Sequence, residues 1–69
     1  MNNVYIKLVI AGSRTIDSIP PKNIVPVAVG VLEKSIDDGE EYATLDDVPE
    51  KYRSAVVAQM IEDGYDVKA

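Results

Sequence analysis

A chain of 69 residues with no Cys and no His excludes a disulfide framework, a Cys/His metal site and imidazole acid–base chemistry. Twelve Asp and Glu against seven Lys and Arg give a net charge of −5, which opposes binding to nucleic acid and to anionic membranes. A core this small is ordinarily reinforced by disulfides, a metal or a partner subunit, and here only the partner remains.

The first apolar run is Val4-Tyr5-Ile6-Lys7-Leu8-Val9-Ile10. As a helix it places Val4, Leu8 and Ala11 on one stripe, Tyr5 and Val9 beside it, and Gly12 at its end. As a strand it would be buried on both faces or pair with another chain. Periodicity does not separate these over so short a run; the repeat described below favours helix. The run is far short of the ~20 residues a bilayer span needs. It also lacks a basic flank and cleavage pattern, so the expectation is a cytoplasmic protein with no membrane insertion.

The next unit is Thr15-Ile16-Asp17-Ser18-Ile19-Pro20, followed by the apolar segment Ile24–Leu32. That segment is rich in β-branched residues and reads as a strand by propensity. A helix survives if Asn23 is its cap, because Pro26 then sits in the first turn, where no N–H bond is required. Gly30 would still cost such a helix about 1 kcal/mol against Ala. Asp37-Asp38-Gly39 closes the segment in the manner of a helix.

A second turn, Thr44-Leu45-Asp46-Asp47-Val48-Pro49, precedes the clearest helix, residues 49–63. Thr44 and Asp47 have the spacing of a reciprocal capping pair. Pro49 suits the first helical position and Glu50 the positive end of the helix dipole. Tyr52, Val56 and Met60 recur every four residues, and Gly64 supplies a left-handed terminator.

The two Thr-x-Asp-x-x-Pro turns align at a constant offset of 29, and the register continues through Val27/Val56, Val31/Met60 and Leu32/Ile61. Val4, Leu8, Val9 and Gly12 align with Val56, Met60, Ile61 and Gly64 at an offset of 52. The reading is one small all-α domain, residues 1–69, with an internal repeat (15–36 and 44–65). Three short helices are joined by the two homologous turns. The alternative is a small α+β unit with residues 3–10 as a strand, alone or together with the middle segment.

Little catalytic chemistry is present: no phosphate loop and no nucleophile elbow, and a chain too short for a water-excluding pocket. No cofactor and no metal are expected. Asp37-Asp38-Gly39-Glu40-Glu41 lacks the alternating ligand spacing of a Ca²⁺ loop. Residues 31–69 carry −7 while residues 1–30 carry +2. Asp37, Asp38, Glu40, Glu41, Tyr42, Asp46 and Asp47 form a candidate acidic patch for a basic partner, although Asp46, Asp47 and Glu50 also fit simple helix capping. Val4, Ile6, Val9, Ile10, Val27 and Val31 form a candidate self-association set, on the expectation that one three-helix core cannot hide them all. Tyr52 is expected in the core, with Tyr5, Tyr42 and Tyr65 near element ends as possible anchors.

Tyr5-x-x-Leu8-Val9-x-x-Gly12-x-x-Thr15-Ile16-Asp17-x-Ile19-Pro20 resembles a group of very small proteins encoded in phages and prophages of Gram-positive bacteria, often in tail gene modules. The resemblance covers about forty residues, and the Thr44–Pro49 turn fits the group's wording better than the first turn. The chain departs from the group in Pro20-Pro21 and in the apolar Ile24–Leu32 segment, where the others carry a charged helix. The resemblance implies a small non-enzymatic accessory protein in the cytoplasm of an infected or lysogenic host, and it brings no catalytic residues. The expected function is self-association and protein–protein interaction. The alternative is an inhibitor of a host defence protein or nuclease, bound through the acidic patch.

Overall fold

The apolar N-terminal run is a helix, α1 (Asn2–Ile10), followed by α2 (Pro21–Asp38) and α3 (Glu50–Glu62), and the fold is all-α. The computed structural model describes residues 2–67, and no strand occurs among them. The α+β alternative, with residues 3–10 extended, is therefore not realised. A helix closes its backbone hydrogen bonds locally, so α1 needs no partner strand and spends only one side on the core.

All three helices end the same way. Gly12, Gly39 and Gly64 have positive φ, and each donates to the carbonyl three residues back while the next residue donates to the carbonyl five back. This is the Schellman closure, which satisfies the last orphan carbonyls of a helix.

The two Thr-led segments also share a backbone. Ile16–Ser18 and Leu45–Asp47 are single 3₁₀ turns, each between an extended Thr and an extended aliphatic residue, Ile19 or Val48. Both aliphatic residues are buried. Pro20 and Pro49 follow with extended ψ, and their carbonyls accept from Asn23 and Tyr52 at 2.8 and 2.9 Å. The prolines thus occupy the cap position itself. This corrects the expectation that Pro49 is the first helical residue.

It also corrects the start of α2. Pro20 is the cap and Pro21 the first helical residue, with Pro26 inside the helix. Asn23 lies within the first turn, and its side-chain amide donates to Asn2 Oδ1 at 2.7 Å, tying the start of α2 to the start of α1. Pro26 has no N–H for the Lys22 carbonyl. Both residues are exposed, and the helix continues through the missing bond.

Helix α2 is the spine, with α1 and α3 packed against it. Ile24, Val27, Ala28, Val29, Val31 and Leu32 form one core with Val9 from α1 and Val56 and Met60 from α3, and Ile16, Ile19 and Val48 complete it. Asn2 meets Asn23 and Ile6 meets Gly30, so α1 and α2 advance in the same sense. The first connection accordingly carries the chain back before α2 begins. The accessible surface is 4392 Å², close to the roughly 4,200 Å² of a folded monomer of this mass.

Candidate functional site

The Gly39–Val48 connection carries most of the acidic residues of interest, and it separates two hollows. Ser35 sets its position. The Ser35 hydroxyl donates to the Val31 carbonyl at 2.9 Å and accepts the Tyr42 N–H at 3.1 Å. Tyr42 in turn donates its hydroxyl to Asp38 at 2.7 Å. Further along, the Asp47 carboxylate accepts the Thr44 N–H at 2.8 Å, with the Thr44 hydroxyl 3.4 Å from the same oxygen. Arg53 reaches back from α3 to donate to the Val48 and Asp46 carbonyls at 3.0 and 3.3 Å. The connection is fixed at both ends.

The first turn is held differently, because Ser18 stands where the second turn has Asp47. Ser18 donates to the Thr15 carbonyl at 2.7 Å, and Arg14 donates to the Ser18 carbonyl at 2.9 Å. Thr15 donates to Asp17. The Arg14 guanidinium also lies over the Tyr5 ring, 5.2 Å from its centre.

Between the two turns lies an open cleft of about 500 Å³, lined by Arg14, Thr15, Asp17, Tyr42, Asp46 and Asp47 above Val9 and Ile16. Its lining is mixed in charge. On the other side of the connection is an apolar groove of about 260 Å³, formed by Leu32, Ile36, Ala43, Leu45, Met60 and Val67, with Glu40 and Glu41 at its rim. Ala43 belongs to both walls.

The seven residues of the acidic patch are therefore divided by the fold. Asp46 and Asp47 face the polar cleft, while Glu40 and Glu41 border the groove. Asp37 is engaged by the Tyr65 hydroxyl at 2.9 and 3.0 Å, and Asp38 by Tyr42 and by Lys34 at 3.5 Å. The Tyr42 hydrogen bond, aided by Lys34, holds the Asp38 carboxyl below its usual range. Hydrogen bonding to Asp38 and Asp37 pushes the Tyr42 and Tyr65 phenols upward. Both tyrosine hydroxyls thus serve the chain's own carboxylates.

Of the self-association set, Val9, Val27 and Val31 lie inside the core. Ile6 and Ile10 are half-buried against it, and Val4 is 51% exposed. The expected six-residue surface does not exist as a unit. The large exposed apolar residues among those described are Val4, Ile36 and Ile61, of which only Ile36 borders the groove.

No protein-family model matches the chain, and no curated protein or solved structure matches it.

Three positioning residues escaped the sequence reading. Ser35 continues the Val27, Val31 spacing of four, so a hydroxyl on the core stripe was the visible signal. Arg53 gave none. Glu33 gave none either. Its Oε2 is shielded from solvent with no hydrogen-bond donor among the described residues. Burial first, then a hydrogen bond with Asp63 and the charges of Asp63 and Asp37, push its carboxyl up to about 7. Protonated, it is a neutral group beside Asp63 at the end of α3. Ionised, it faces two carboxylates.

No helix among the described residues is long and apolar enough to cross a membrane.

Proposed function

We propose that the chain is a small non-enzymatic binding module whose partner is a basic protein, engaged on the Glu40–Glu41 side of the α2–α3 connection. One observation carries this reading: an apolar groove bordered by two exposed glutamates that have no cationic partner among the described residues. Apolar area supplies affinity, and a negative rim supplies orientation and selection against acidic surfaces. The resemblance to small phage accessory proteins is compatible with such a role, including inhibition of a host defence protein or nuclease. The test is affinity capture from a lysate of the encoding organism, with the wild type and a Glu40→Lys/Glu41→Lys variant. A specific partner should be held at low salt and lost above ~0.5 M, where the Debye length is only a few ångströms. It should also be lost with the charge reversal. A partner retained in full by the reversed variant overturns the proposal.

A second reading, self-association, draws on Val4, Ile36 and Ile61, each more than half exposed. Light scattering at micromolar concentration separates the two. A dimer that persists on dilution favours self-association, and a strict monomer removes it.

A further inference from the structure

We infer that the groove between α2, the connection and the C-terminal segment is a docking slot for a basic peptide segment of another protein, one aliphatic side chain entering the slot and flanking Lys or Arg side chains meeting Glu40 and Glu41. The inference rests on the basic-partner reading above and specifies how that partner is held.

The size and lining of the slot select the occupant. At about 260 Å³ it falls below the roughly 300–1,000 Å³ of small-molecule pockets, but it accommodates a side chain. Its walls are Leu32, Ile36, Ala43, Leu45, Met60 and Val67. The one hydroxyl among the lining residues, on Ser35, is already committed as donor to Val31 and acceptor from Tyr42. Nothing inside is left to orient a polar group, so what enters must be apolar. Met60 is unbranched and adjusts to the shape of a guest more readily than a β-branched residue. Ile36, 53% exposed at the lip, extends the apolar contact outward.

Charge then fixes the flanks. Glu40 and Glu41 are exposed at the rim, and the backbone that carries them is anchored on one side by the Gly39 helix closure and on the other by Tyr42. The backbone beneath the glutamates is thus set before any partner arrives, which lowers the part of the ordering cost that falls on the main chain. Lys or Arg on either side of the inserted residue complements them. An acidic or purely polar segment has no counterpart here.

The test uses the full chain with isotope-labelled methyl groups, titrated with a short synthetic peptide built on Lys-Lys-Leu-Lys-Lys. The control is the same peptide with Leu replaced by Ser, identical in charge. The expected result is methyl shifts at Leu32, Ile36, Leu45 and Met60, with the Leu peptide at least about tenfold tighter, the worth of one buried aliphatic side chain. Ala43→Leu, which fills the slot, should abolish that difference while leaving the weaker charge-driven binding. Equal affinity of the two peptides, or shifts confined to Val9 and Ile16 in the polar cleft, overturns the slot but leaves the basic-partner reading standing. Failure of both peptides to bind at low salt overturns both.

Discussion

Ile6 occupies the volume that a side chain on Gly30 would need. A Cβ at position 30 would overlap Ile6 Cδ1 and press on Cγ1 at 3.0 Å. Glycine inside α2 weakens the helix by about 1 kcal/mol relative to Ala, and what it gains is a close approach of α1. Gly30→Ala therefore sets helix propensity against overpacking, which typically costs about 1–3 kcal/mol. The expected net effect is a loss of about 1 kcal/mol in urea unfolding. Ile6→Val removes Cδ1, so the double variant should recover most of that loss; purely additive effects would show that the contact is not the cause.

Glu33 should make stability depend on pH. Its folded-state value of about 7 lies above the ordinary 4.5. Its stabilising contribution is therefore fully present below 4.5 and is lost as pH rises through about 7. The groups facing it are Asp37 on α2 and Asp63 and Tyr65 beyond the end of α3. Asp38 acts oppositely: its lowered value means stability is lost as pH falls below its ordinary 3.8. The melting temperature should thus be highest on the acid side of neutrality and fall towards pH 8. Glu33→Gln keeps a neutral donor opposite Asp63 and should flatten the decline.

Ser35→Ala removes the acceptor for the Tyr42 N–H. The Tyr42 N–H is partly buried, so leaving it unpaired costs at most the roughly 1–3 kcal/mol of a fully buried donor. Amide exchange at Tyr42 should accelerate well beyond that of core residues such as Val31, and any partner that needs Glu40 and Glu41 should bind more weakly. Unchanged exchange at Tyr42 would mean that Ser35 does not hold the connection.

Pro26→Ala restores an N–H for the Lys22 carbonyl at an exposed position. An interior proline costs a helix roughly 3 kcal/mol or more in strain and lost bonding, partly offset because proline also restricts the unfolded chain. The variant should be more stable by about 1–2 kcal/mol, read as a higher denaturant midpoint at constant slope.

Helix α3 was legible because Tyr52, Val56 and Met60 keep one stripe and the Thr44–Asp47 pair announces the preceding turn. The closures at Gly12, Gly39 and Gly64 were equally readable from residue type. Helix α2 was ambiguous for a physical reason: Pro26, Gly30 and the β-branched residues argue against a helix locally, and the contacts that override them, Ile6 on Gly30 among others, come from elsewhere in the chain. The acidic residues were found, but their grouping was not, since Tyr42 and Tyr65 claim Asp38 and Asp37 and Ala43 parts the remainder. The groove could not be read at all, because its walls come from four separate stretches, around Leu32–Ile36, Ala43–Leu45, Met60 and Val67.

Because α2 is a poor helix former on its own account and both other helices lean on it, no portion of the molecule should outlast the rest. Strip away α1 and Gly30 is left as an uncompensated weak point; strip away α3 and Val27 and Val31 lose cover. Neighbouring segments nevertheless supply most of the interactions, a topology that folds within microseconds to milliseconds. A temperature-jump or stopped-flow unfolding trace should accordingly show one relaxation, with every probe along the chain reporting the same rate.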